Sequence, residues 1–150
     1  WSFGSVRRNY GRKPHNAAGA YMSEPVWVPS RAVQIIHDCQ IARHGGASGF
    51  RDKGLLQNAV RGPVKKWQHE NACLFECAAG YVFGIAKEHA FVDRNRPTAF
   101  VASVTFLRLN RWHFSTEPAE GVEYMEGLAS DQISEENFEI WLRQNSVGVF

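Results

Sequence analysis

The sequence has no apolar run near the ~20 residues that a helix needs to cross a bilayer. No positively charged stretch is followed by an apolar one, so no secretory signal is expected. Cysteine is scarce, and Cys39, Cys73 and Cys77 are too few and too oddly spaced for a disulfide framework. Cys73 and Cys77 lie four apart on an expected helix, with His69 another four residues upstream. Helical positions eight apart are separated by roughly 12 Å, too far to share one zinc ion at ligand distances of ~2 Å. The two thiols therefore read as free and buried, which suits a reducing cytoplasm. Asn-Gly hairpin signals and period-two strands of useful length are also missing, which argues against a β fold.

What is present describes one ordinary globular domain. The 150 residues are 44% hydrophobic and 21% charged, enough to bury a single core. The formal charge of +2 is too small to argue for nucleic acid, but it is unevenly placed. Residues 1–23 hold Arg7, Arg8, Arg12 and Lys13 and no acid, leaving a slightly acidic remainder. A basic arm can contact nucleic acid, yet this one has no hydrophobic period and is rich in Gly, Asn and Arg. We read residues 1–22 as a basic leader, disordered or non-native, with Met22 as the natural start, and residues 23–150 as the domain.

The apolar periodicity predicts an all-α domain, a compact bundle of about six helices. Ser30 is the expected N-cap of a first helix that buries Ala32, Ile35, Ile36 and Cys39 and ends at Gly45–Gly46. Asp52 caps KGLLQNAVRG, whose stripe is Leu55, Leu56, Ala59 and Val60; Pro63 is expected to close it, with VKKWQHE as a connector. Asn71 opens the most apolar segment, ACLFECAAGYVFGIAKEHAF, which is expected to be a central helix surrounded by others. A second apolar helix runs from Thr98 to Trp112. Another starts at Glu117–Pro118 and carries Val122, Met125 and Leu128. Ser134 caps the last, with Phe138, Trp141 and Leu142 as its apolar face.

Between the two most apolar helices stands HAFVDRNRPTAF, residues 89–100. A loop tied at both ends to core helices is rigid, and the following helix start offers free N–H groups and a positive dipole end to an anion. An imidazole such as His89 suits a general base near neutral pH. Asp93 suits a hard divalent cation such as Mg²⁺. Asn95 can donate to a phosphate oxygen and Arg96 can neutralise one. Together they describe phosphoryl or nucleotidyl transfer. Residue chemistry alone leaves the plainer reading open, with His89 as a helix C-cap and Asp93 as an N-cap.

HAFVDRNRPTAF resembles the signature loop of the Fic/Doc family, H-x-F-x-D-G-N-K/G-R, continued into T-A-F as in its Doc-like branch. HGGASGFRDKGLLQNAV, LFECAAGYVFGIAKEHAF, NRWHF and ISEENFEIWLRQNS resemble further family segments in the family's order, over roughly residues 26–147. The resemblance implies the Fic/Doc fold, ATP and Mg²⁺ as cofactors, and transfer of phosphate or AMP to a protein hydroxyl. It implies a cytoplasmic toxin of a bacterial toxin–antitoxin pair that acts on elongation factor Tu and is restrained by a Phd-type antitoxin. Nucleic acid would be met only through that antitoxin. By position, His89 would be the catalytic base, Asp93 the Mg²⁺ ligand, and Asn95 and Arg96 the groups that position phosphate. Lys87, Phe91 and Arg94 would join Asn95 and Arg96 around the nucleotide, with Phe91 fixing the loop against the core. Arg96 fills the slot that is Lys in Doc-like members.

Two positions depart from the pattern. Arg94 stands for a Gly that gives the loop positive φ and room beside the backbone. Pro97 stands for an Arg, so the anion site loses a guanidinium and an N–H while the helix start tolerates the ring. The expectation is a weakened site, or a catalytically silent fold that binds the antitoxin and takes part in operon regulation. TEPAEG, from Thr116 to Gly121, matches the S/T-x-x-x-E-G/N pattern that blocks ATP binding in Fic proteins. Thr116 as an N-cap and Pro118 in the first turn explain the same letters structurally.

Overall fold

A computed structural model describes residues 23–149, and six helices account for most of them. They are α1 (Ser30–His44), α2 (Lys53–His69), α3 (Leu74–Glu88), α4 (Asn95–Leu109), α5 (Pro118–Ala129) and α6 (Glu135–Gln144). The expected basic leader and start at Met22 lie outside the described residues. The all-α reading holds, with one small addition. Trp112–Phe114 (β1) and Ser146–Gly148 (β2) pair antiparallel, Trp112 opposite Gly148 and Phe114 opposite Ser146. This ribbon fastens the C-terminal segment beside the end of α4.

α3 is the centre of the molecule. Ten of its 15 residues are buried, among them Phe75, Tyr81, Val82 and Ile85, because it packs against α2, α4 and α6. Its start differs from expectation: Cys73 is the N-cap, so Asn71 and Ala72 precede the helix. Cys73 and Cys77 are buried free thiols, and burial, followed by the charge of Glu76, pushes the Cys73 thiol up from its ordinary value. Cys39 is instead exposed.

α2 does not stop at Pro63. It runs through the proline to His69, and the expected connector is its last turns. Pro63 cannot donate to the Ala59 carbonyl, the bond an ordinary residue would make. Gly84 of α3 crosses at this point: a Cβ there would sit 3.1 Å from the Ala59 oxygen and 3.2 Å from its Cα. Burial of Pro63 against α3 keeps the helix going where sequence alone predicts a stop.

The buried face of α1 is shifted by one position from the expected stripe, with Ala32 and Ile36 only partly buried against the core. Pro29, not Ser30, is its N-cap, and Val33 and His37 are its buried residues, while Ile35 is 54% exposed. The segment before it, which has no regular structure, is tied down by side chains. Asn110 Oδ1 accepts from the Val26 N–H at 2.8 Å and its Nδ2 donates to the Val26 carbonyl at 2.9 Å. The Tyr81 hydroxyl accepts from the Val28 N–H and donates to the Val28 carbonyl, and its burial raises the phenol above its ordinary value. On α5, Glu117 is the N-cap in place of Thr116, and Val122 is exposed.

Candidate active site

The loop between α3 and α4 begins and ends in left-handed backbone. His89 is the C-cap of α3 at φ 52°, and Arg94 is the N-cap of α4 at φ 61°. A left-handed conformation costs roughly 1–2 kcal/mol for a residue with a Cβ, so the surroundings must hold both residues there. Arg51 secures the first. Its Nε donates to the His89 carbonyl at 2.7 Å, and its second guanidinium nitrogen to the Glu88 carbonyl at 3.0 Å. The N–H groups of Arg51 and Asp52 both reach the Ala90 carbonyl, and that of Val92 reaches the Gly49 carbonyl. The turn-rich segment before α2 thus runs antiparallel to the loop, with Phe50 bridged to Phe91. Asp52 caps α2 as expected, accepting from the Gly54 N–H.

Arg94 is held by its own side chain. Nε donates to the Gly45 carbonyl at 2.9 Å and the terminal nitrogen to the His44 carbonyl at 2.8 Å. Those carbonyls close α1, at the negative end of its dipole, where a guanidinium is favoured. Arg94 therefore adopts the positive φ of the glycine it stands for, with its charge directed onto α1. Gly46 makes this approach feasible, since a Cβ there would lie 2.7 Å from Asp93 Oδ2.

The Asp93 carboxylate is exposed and oriented by backbone donors: Oδ1 accepts from the Arg94 N–H at 2.8 Å and Oδ2 from the Ala47 N–H at 3.3 Å. Those two bonds, the first the larger, lower its pKa below the usual aspartate value. Asn95 is buried and engaged with Phe91, accepting from its N–H and donating to its carbonyl. Phe91 is 2% exposed and lies between two rings, His37 at 3.8 Å and Phe50 at 5.0 Å.

On the open side, Lys87, His89 and Arg96 line one pocket of about 450 Å³, floored by Ala86 and Leu128. Asp131, also on its wall, pairs with Lys87, which lies over the Phe83 ring. In the first turn of α4 the N–H groups left without helical partners are those of Asn95 and Arg96, because Pro97 has none. The structure thus brings Lys87, His89 and Arg96 together, and holds Asp93 and Arg94 on the Gly45–Ala47 side of the loop. A base and two cations beside a helix N-terminus suit an anionic phosphate ester.

Among the described residues no three His, Cys, Asp or Glu side chains gather as a metal cage. One exposed, ionised carboxylate does fit Mg²⁺, which is commonly held by one or two carboxylates plus the phosphates of its substrate. Sequence reasoning passed over His37 and Arg51, whose partners lie 56 and 38 residues away. The Gly-x-Arg-Asp segment carried the second only as a letter pattern. Nothing local marks the first except a histidine four residues after Val33.

The Fic/DOC family model matches residues 27–107, more than half of the chain. The protein kinase doc of Escherichia phage P1 is 33% identical over 100 residues, covering 66% of this chain and 79% of that protein. Toxin Doc of Mycolicibacterium smegmatis is 40% identical over 68 residues, covering 44% of this chain and 52% of that protein.

Proposed function

The chain belongs to the Fic/DOC family, and from that premise we propose that it is a Doc-like toxin that transfers phosphate from ATP to a hydroxyl of elongation factor Tu. The observation that carries this reading is the convergence of Lys87, His89 and Arg96 on one pocket at the start of α4. His89, which lines that pocket, takes the proton of the attacking hydroxyl as its oxygen bonds the γ-phosphorus and ADP leaves. Arg96 and the first-turn N–H groups receive phosphate oxygens. Asp93 is the residue that would hold Mg²⁺, which would supply neutralising charge to the phosphate. Phe91 and Asn95 keep the loop in shape from beneath, and Arg94 fastens its end to α1. The positive charge of Arg96, in the slot that is Lys in the Doc branch, favours phosphate over AMP as the group transferred.

Restraint by a Phd-type antitoxin is part of this proposal. An apolar groove of about 590 Å³, lined by Phe100, Val104, Phe114, Val122 and Met125, opens beside Arg96 and Pro97. A segment seated there would cover the phosphate end of the site.

Pro97 favours a second reading, a catalytically silent protein that keeps the antitoxin and operon role. It removes an N–H and the family's guanidinium from the anion site, and among the described residues Arg96 is the arginine that lines that pocket. Incubation of the chain with elongation factor Tu, Mg²⁺ and ATP labelled at either the γ- or the α-phosphate tests the proposal. Label transferred from the γ position supports it, and label from the α position replaces it with AMP transfer. No transfer, with antitoxin binding intact, favours the silent protein.

A further inference from the structure

His37 is a histidine 1% exposed on the buried side of α1. Its Nε2 lies 2.8 Å from the Asp93 carbonyl oxygen, and since a carbonyl only accepts, Nε2 carries the proton. The same ring lies parallel to Phe91, centroids 3.8 Å apart and planes 6° apart. One side chain therefore touches the signature loop twice, by its edge at Asp93 and by its face at Phe91. Neither Phe, which lacks the donor, nor Gln, which lacks the flat face, can make both contacts.

From this arrangement we propose that His37 is a positioning residue, which sets the orientation of the Asp93 carboxylate by holding the Asp93 peptide against α1. The other ties at this point act on neighbouring atoms. Ala47 N–H meets the Asp93 carboxylate, and the Arg94 side chain meets the carbonyls of His44 and Gly45. The Arg94 N–H turns back to Asp93 Oδ1, and among the described residues it is His37 that ties the carbonyl of that same peptide to another element. It does so from a helix whose inward face otherwise carries a single fully buried aliphatic, Val33. A buried polar side chain on so plain a helix costs more than an apolar one unless its hydrogen bond is made. The loop is the reason for having it there.

The inference rests on the reading of Asp93 as the magnesium carboxylate, and two measurements keep their outcomes apart. In the full chain, His37→Phe keeps the stack and removes the donor, while His37→Gln keeps a donor and removes the stack; His37→Asn serves where Gln does not fold. Titration with ATP and Mg²⁺ is expected to show about tenfold weaker binding for His37→Phe, with the amide variant recovering to within about threefold of the parent. Amide hydrogen exchange at Phe91 and Val92 is expected to quicken in His37→Phe while exchange in α3 stays unchanged. A residue that merely fills the core would change melting temperature and leave both of these readouts level. Unchanged loop exchange in folded His37→Phe overturns the proposal, as does failure of the folded amide variants to recover binding. If the parent chain itself binds no ATP with Mg²⁺, the functional reading fails, and the exchange data alone uphold or overturn the role of His37.

Discussion

Asn95 closes a ring on Phe91: its Oδ1 accepts from the Phe91 N–H at 3.0 Å and its Nδ2 donates to the Phe91 carbonyl at 2.9 Å. With Asn95 8% exposed, the amide holds the loop's shape from within. Asn95→Asp should be severe for its size, because it replaces the donor to the Phe91 carbonyl with a second acceptor. The expected loss is about 1–3 kcal/mol of stability, read as a lower midpoint in urea unfolding. Asn95→Asp that melts like the parent but binds phosphate less well would instead make Asn95 a phosphate contact.

The two departures from the family pattern are not equal in the structure. Arg94 already has the left-handed backbone of a glycine and two hydrogen bonds to the end of α1. Pro97 has no such compensation at the anion site. We expect Pro97→Arg with Arg96→Lys to raise phosphate transfer by roughly ten- to a hundredfold, one charge-assisted hydrogen bond of ~1.5–3 kcal/mol. Adding Arg94→Gly should give little more. Growth arrest on induced expression, beside a labelled transfer assay, decides it. A parent chain as toxic as the reverted one would exclude a weakened site.

The helices were legible because apolar spacing reports which face is buried. It succeeded for α3 and α6, whose stripes are long, and for Asp52 and Ser134, whose side chains accept the cap bonds expected of them. It held only in part on α1, where Ala32 and Ile36 pack partly buried against the core, Ile35 and Cys39 are exposed, and Val33 and His37 take the innermost places. Pro63 misled for a related reason: a proline ends an isolated helix, but the packing of Gly84 and Gly80 against α2 outweighs the lost bond. The signature loop was visible as letters, while its supports were not. His37, Arg51 and the Gly45–Ala47 turn act through bonds between segments far apart in the chain.

Asp93 gives a pH dependence of definite sign. Its folded pKa lies below the ordinary value because the Arg94 and Ala47 N–H groups favour the carboxylate. The corresponding stabilisation is complete above the unfolded aspartate value and is lost as pH falls through the lowered folded value. The loop should therefore stay ordered through the range in which a free aspartate protonates, and loosen only below it. Carbon-detected NMR titration of the Asp93 carboxyl is the direct measurement. Ala47→Pro, which removes one donor, should move the transition upward; no movement would mean that the Ala47 bond does not form in solution.

Glu120 decides between a self-inhibitory motif and an ordinary helix start. One carboxylate oxygen accepts from the Thr116 hydroxyl at 3.0 Å and the other from the Trp141 indole N–H at 3.1 Å. Both oxygens are thereby turned toward α6 and the N-terminal turn of α5. Trp141 is 2% exposed, stacked on Tyr124 at 4.1 Å and packed edge-on to Phe114 and Phe138. Removing the acceptor leaves a buried indole N–H unpaired, which costs about 1–3 kcal/mol. Glu120→Gly should therefore lower the melting temperature and leave ATP affinity unchanged. Glu120→Gln, which keeps an acceptor oxygen for one of the two donors, should recover part of the stability. Tighter ATP binding in Glu120→Gly without loss of stability would reverse the assignment and make TEPAEG an inhibitory segment.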